Sequence, residues 1–168
     1  MSAEAVQAAV AAYISSAQIP NLFECFASPP FDMEDVPVNQ LTPPGSTTSA
    51  VGVVYTDSDE DEVIGLDGAG GRRKCSYAVT LEIMLWDVSG DFTVTGLAYD
   101  ALITAVKFRL RADPMLGTTP AGESGDIIQA AVSRLFVERG RPVLLGDGNV
   151  PTRWAGIQFA VETCEFST

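Results

Sequence analysis

Cys75-Ser-Tyr-Ala-Val-Thr-Leu-Glu-Ile-Met-Leu-Trp-Asp87 is the stretch that decides the fold. Tyr77, Val79, Leu81, Ile83 and Leu85 alternate with Ala78, Thr80, Glu82, Met84 and Trp86. A period of two puts each set on its own face of a β-strand. The first set is expected to face helices. The second includes Met84 and Trp86, too apolar for a free surface, so part of that face should also be covered.

Downstream, Ser89-Gly-Asp91 reads as a turn leading into a helix over 94–112. Leu97, Leu102, Ile103, Val106 and Leu110 form its apolar stripe. Lys107, Arg109 and Arg111 lie near its C-terminus, where they complement the dipole, and Pro114 closes it. Ser124–Val137 reads as a second long strand, and Gly140–Pro151 as a Gly/Pro-rich loop. In the last strand, Arg153–Phe166, Ala155, Ile157, Phe159 and Val161 alternate with Trp154, Gln158, Glu162 and Cys164.

Upstream, residues 2–18 read as a helix with Val6, Val10, Tyr13 and Ile14 on one face, ended by Pro20. Residues 24–50, punctuated by five prolines, read as a long loop or arm, long enough to lie on a neighbouring subunit. Ala50–Tyr55 is a short strand. Asp57–Glu62 (DSDEDE) is expected to be an acidic hairpin turn before a short strand at Val63–Leu66. Gly68–Lys74 is expected to be a flexible basic turn. The order α-β-β-β-α-β-β gives an α+β fold: a mostly antiparallel sheet with two helices packed on one face. A length of 168 residues is most simply one domain, 1–168.

Charge divides the chain at position 71. Residues 1–71 hold eleven Asp or Glu and no Lys or Arg; residues 72–168 hold eleven acidic and ten basic residues, which together give the net −12. Phosphate affinity comes from Lys and Arg displacing counterions, so a polyanionic chain is not built to grip nucleic acid. It reads as a protein that meets other proteins. The three cysteines, Cys25, Cys75 and Cys164, are widely spaced and form neither a disulfide framework nor a CxxC metal site. A reducing, cytoplasmic place of synthesis fits them. With no histidine in the chain, Ser-His-Asp and Cys-His catalysis and the HExxH zinc site are excluded. Ala5–Phe23 is uncharged apart from its flanks but is interrupted by Gln7, Ser15, Ser16, Gln18 and Pro20, so neither a signal peptide nor a membrane span is expected.

Three stretches come near to functional motifs. Asp57, Asp59 and Asp61 match the first positions of an EF-hand loop, but Glu62 stands where Gly is needed and Gly68 where the bidentate Glu belongs. Gly65–Lys74 is rich in glycine but has no Lys-Ser/Thr pair and no helix after it, as a phosphate loop requires. Asp32, Glu34 and Asp35 form a charge run rather than a catalytic dyad. No catalytic residue, metal or cofactor is assigned. Arg72, Arg73 and Lys74, with Arg139, Arg141, Arg153 and Trp154, are candidate interface residues, since Arg and Trp are enriched at interface hot spots. The basic group and the acidic Asp57, Asp59, Glu60, Asp61 and Glu62 suit head-to-tail contacts between copies.

The strand from Arg72 to Asp87, Leu-Ala-Tyr-Asp-Ala-Leu at 97–102, Asp113-Pro-Met-Leu-Gly117 and Trp154-Ala-Gly-Ile-Gln-Phe-Ala-Val-Glu162 together resemble the tail terminator proteins of long-tailed bacteriophages. The likeness spans residues 1–20 and 72–166; residues 24–70 are long, acidic and proline-rich for that family. It implies a virion protein of the tail or neck, assembled in the host cytoplasm as a homo-hexameric ring on the head-proximal end of the tail tube. Such a ring stops tube polymerisation and joins the tail to a head connector or stopper protein. DNA passes through without specific binding, no membrane is involved, and Asp57–Glu62 would line or rim the channel. Other readings are another phage neck or minor tail part, such as a head-completion or stopper protein, or a non-viral cytoplasmic binding module for a small molecule or divalent ion.

Overall fold

A computed structural model describes residues 1–32, 35–64, 72–118, 127–132, 134–145 and 150–166; for 61–64, 72, 73, 127, 128, 165 and 166 it describes the backbone alone. The elements run α1 (Ala3–Ser15), β1 (Leu22–Phe26), β2 (Thr48–Ile64), β3 (Arg72–Asp87), α2 (Phe92–Ala112), β4 (Ile127–Ala130), β5 (Phe136–Arg139), β6 (Val143–Leu145) and β7 (Val150–Phe166). The fold is α+β. The sheet order is β1-β2-β3-β7-β4, with β5 and β6 also on β7; among the described residues β1 and β2 pair in parallel and the other pairs are antiparallel.

The alternation at 77–85 does what it predicts. Tyr77, Val79, Leu81, Ile83 and Leu85 pack with Val6, Val10 and Ile14 of α1 and with Leu102, Ile103, Val106 and Leu110 of α2 in one core. Ser2 caps α1 by accepting from the Ala5 N–H at 3.3 Å. This helix ends at Ser15, three residues short of the expected Gln18, which takes a left-handed φ of 49° and turns the chain out of the helix. Asp91 caps α2 through the N–H groups of Thr93 and Val94, which starts that helix at Phe92 rather than residue 94. Leu97, expected on the apolar stripe, is 75% exposed; Thr95 and Tyr99 take the buried positions around it. The two helices are clasped at one end. The Arg109 guanidinium lies 3.7 Å from the Tyr13 ring centre and donates to the Tyr13 carbonyl, while the Tyr13 hydroxyl donates to the Arg109 carbonyl at 3.0 Å.

The opposite face carries a second core. Val51, Met84 and Trp86 are buried there beneath Val36, with Phe26, Phe31, Val38 and Leu41 packed around them. The covering of Met84 and Trp86 is therefore the proline-rich segment of the same chain. The ends of that segment are strand: Glu24–Phe26 belong to β1 and Thr48–Ala50 to β2. Between them, the Thr42 hydroxyl accepts from the Trp86 indole N–H at 2.9 Å and donates to the Val38 carbonyl.

Three strand expectations are corrected. Ala50–Tyr55 and Val63–Leu66 are not two strands around a turn; Thr48–Ile64 is one strand paired with β3 throughout, and the connection at 65–71 lies outside the described residues. Ser124–Val137 is not one strand: β4 and β5 pair with separate parts of β7, β4 opposite Val161–Cys164 and β5 opposite Ala155–Gln158. The expected Gly140–Pro151 loop contributes β6 and the start of β7. In each case pairing with a long neighbouring strand decides, and local polarity does not.

Candidate interaction surface

The acidic run sits inside β2, opposite the start of β3. Asp59 pairs with Tyr77, Glu60 with Ser76, Asp61 with Cys75 and Glu62 with Lys74. Asp57 falls at a bulge between Thr56 and Ser58, where its carboxylate accepts from the Thr80 hydroxyl. Asp57, Asp59 and Glu60 are exposed. The expected hairpin turn is thus an extended strand, because the ladder to β3 satisfies its backbone. Extended backbone does not wrap three carboxylates around an ion, and among the described residues no group of three or more Cys, Asp or Glu is placed to hold a metal.

Arg72, Arg73 and Lys74 are the first residues of β3, not a flexible turn. Register sets Arg72 opposite Ile64, Arg73 opposite Val63 and Lys74 opposite Glu62. Lys74 Nζ lies 2.8 Å from Glu162 Oε1 on β7, so this cation is engaged within its own sheet. The side chains of Asp61, Glu62, Arg72 and Arg73 lie outside the described residues.

The other candidate cations gather some ten β7 residues away. Met84 pairs with Trp154 and Lys74 with Cys164, which is roughly 33 Å along a strand. Here Tyr99 of α2 is the hub. Its hydroxyl donates to the Trp154 carbonyl at 2.8 Å, and the guanidinium carbons of Arg139 and Arg153 lie 5.5 and 6.0 Å from its ring centre. Burial raises the Tyr99 pKa against the opposing pull of Arg139. Arg139 forms an ion pair with Asp100, and that hydrogen bond raises the pKa of the guanidinium further. Arg153 lies against Gly96, where a Cβ would stand 3.2 Å from its Nη2. Its buried Nε has no hydrogen-bond partner among the described residues.

Trp154 stacks on Gly140, where a Cβ would come within 2.7 Å of the indole, and its side chain hydrogen-bonds Glu82. Burial raises the Glu82 pKa, and this indole bond only partly offsets it. Arg139, Arg153 and Trp154 are thus brought together as a clasp joining α2, β5 and β7. Arg141 stays exposed beyond β5.

The sequence reading missed the exposed apolar groups. Leu97 and Phe108 on α2 are 75% and 76% exposed. Phe108 also borders an open groove of about 900 Å³ between α2 and the chain after α1, floored by Ala17, Ile19, Ala101 and Ala105. Phe108 sits two residues from both Val106 and Leu110, about 200° around the helix from that stripe. That phase was legible and would have marked it as an outward-facing aromatic. Phe23 on β1, Phe136 on β5, and Val143 and Leu144 on β6 are also exposed. No helix among the described residues is long and apolar enough to cross a membrane.

No family model matches the chain, and no curated protein matches it. Among solved structures it is similar to a chain of the virion of a native gene transfer agent particle, with 12% identity over 94% of each chain and a TM-score of 0.31. A likeness of that size carries neither a fold assignment nor a function to this chain.

Proposed function

We propose that this chain is a structural subunit of a phage-type tail, a ring-forming tail terminator that stops tube growth at the head-proximal end and presents the surface joining tail to head. The observation that carries the reading is the blade made by β2, β3 and β7. These strands run 17, 16 and 17 residues. The Tyr77 hydroxyl donates to the Met1 carbonyl at 2.5 Å, so α1 begins level with Tyr77 and the three strands continue past it. The outer strand of this projection is the acidic one. Carboxylates facing a DNA path repel phosphate and let it slide, whereas Lys and Arg would hold it. Asp57–Glu62 lining or rimming the channel is part of this proposal, as are a homo-hexamer, a tail tube protein on one side and a head connector or stopper on the other.

The test is the solution mass by light scattering, with electron microscopy of the same fractions. Closed rings of six subunits with an open centre support the reading, and their addition to polymerising tube protein should shorten the tubes. Discrete particles without a central opening, or tubes of unchanged length, refute it. A second reading, a binding module, draws on the apolar groove beside Phe108. A ligand from a metabolite panel that raises Tm, with the rise lost in Phe108→Ser, would favour it.

A further inference from the structure

The sheet has two unlike edges. On one side β1 pairs with β2 only over Ala50–Val53, so among the described residues no strand covers the remaining length of β2 on the side away from β3. Exposed charge on this edge is acidic: Glu24 on β1, and Asp57, Asp59 and Glu60 on β2. On the other side β5 and β6 pair with β7 and, among the described residues, with no further strand. There Arg134 and Arg141 are exposed, with no ion pair among the described residues, while Arg139 is held by Asp100. Glu138 is the one acidic residue between 134 and 145.

Register fixes the acidic groups, and brackets the two arginines between paired neighbours, at similar heights. Glu24 lies level, through Val51 and Met84, with Trp154; Arg141 lies between Arg139, opposite Ala155, and Val143, opposite Thr152. Asp59 lies level, through Tyr77, with Val161; Arg134 falls between Ala131, whose N–H bonds the Ala160 carbonyl, and Phe136, opposite Gln158. The two acidic levels are therefore roughly 23 Å apart and the two basic levels roughly 20 Å. Beside Glu24 stands Phe23, 44% exposed; beside Arg141 stand Val143 and Leu144, 48% and 52% exposed.

Like edges of two copies repel each other, and unlike edges match in charge, height and apolar content. Charged edges suppress indiscriminate strand pairing. Here opposite signs on opposite edges leave one mode open, a heterologous contact of the kind that closes into rings or runs on as filaments. We infer that two copies of this chain dock side by side, the acidic β1–β2 edge of one against the basic β5–β6 edge of the next. This deepens the ring reading and rests on it for closure; Asp59 and Glu60 then stand in the seam between subunits, where the acidic run rims the channel rather than lines it. The Ser15 hydroxyl bonds both the N–H and the carbonyl of Cys25, at 3.0 and 3.3 Å, so β1 meets its neighbour with side chains rather than through a full ladder.

Two charge-reversal variants test the contact. One carries Glu24→Lys, Asp59→Lys and Glu60→Lys; the other carries Arg134→Glu and Arg141→Glu. All five residues are exposed, so Tm and far-UV circular dichroism report whether each variant is folded. Mass is measured by light scattering at high protein concentration and low salt. Wild type is expected to associate and to dissociate with salt. Each variant alone should fall to monomer, since its two edges now share one sign. An equimolar mixture of the two should associate again as alternating subunits, as should one chain carrying all five changes. A wild type that stays monomeric, a variant that associates unchanged, or a mixture that fails to associate overturns the inference. A six-membered ring indifferent to the swaps removes the edge contact and leaves the ring reading; swap-sensitive association without a fixed subunit number does the reverse.

Discussion

The two faces of the sheet bury comparable apolar side chains by different means. On one face, Leu81 and its neighbours lie beneath α1 and α2, elements with their own caps and backbone hydrogen bonds. On the other, Trp86 lies beneath an irregular, proline-rich segment anchored through side chains, the indole N–H to Thr42 and the Ser49 hydroxyl to the Leu41 carbonyl. A helix brings its own satisfied backbone to a core, whereas an irregular cover depends on the anchors beneath it. The helix face should therefore fail globally, and the other face locally first.

The largest effect separates the two. Trp86→Ala is expected to cost about 4 kcal/mol and Leu81→Ala about 3 kcal/mol in urea denaturation, both side chains being fully buried. Only Trp86→Ala should speed proteolytic cleavage within 27–47 under native conditions; equal protection in both variants would erase the distinction.

Asp87 sharpens the comparison next, because it ties the start of β2 to the end of β3. Its carboxylate accepts from Thr48 at 2.7 Å, from Thr47 at 3.2 Å and from the Ser89 N–H at 2.7 Å. Burial pushes its pKa up, but the bonds from Ser89, Thr48 and Thr47 outweigh that and leave it below its ordinary 3.8. A depressed pKa stabilises the fold above the unfolded value, and that stabilisation is lost as pH falls through the folded one. Asp87→Asn should cost about 2 kcal/mol at neutral pH, with the gap to wild type closing below about pH 4. A gap that stays constant to pH 2 would contradict this reading.

Gly140→Ala forces a methyl against the Trp154 indole, and about 1 kcal/mol of destabilisation is expected. Near-ultraviolet circular dichroism should report the displaced indole. The smallest effect has the opposite sign. Burial raises the Glu82 pKa above its ordinary 4.5, so its ionised form opposes folding once pH rises through the folded value. Glu82→Gln keeps an acceptor for the Trp154 indole and should raise Tm slightly at pH 7 with no gain at pH 3. A loss at pH 7 would show that the carboxylate is worth more as a hydrogen-bond acceptor than it costs by burial.

The helix-covered face was readable from the chain because both periodicities were present: two along 77–85, and three to four along Val6–Ile14 and Leu102–Leu110. The covering of Met84 and Trp86 was readable as a need, but its source was not, since Phe31, Val36, Val38 and Leu41 carry no period among prolines. The acidic run was misread as a turn because six polar residues in a row look solvated whether or not a neighbouring strand satisfies their backbone. Among the candidate site residues, Arg139, Arg153 and Trp154 did converge. Their convergence runs through Tyr99 and Asp100, whose contacts with β5 and β7 have no signature in local spacing.

The sequence alone determined the α+β class, the central strand and its two faces, the helix stripes apart from Leu97, and the division of charge at residue 71. Local periodicity and composition suffice for these, because each is a property of neighbouring residues. Tertiary structure alone decided that Thr48–Ile64 is one strand, that Leu22–Phe26 pairs in parallel beside it, and that acids and bases end on opposite edges of one sheet. Those features depend on register between segments far apart in the chain, and register is set by how strands pair, which no single segment encodes.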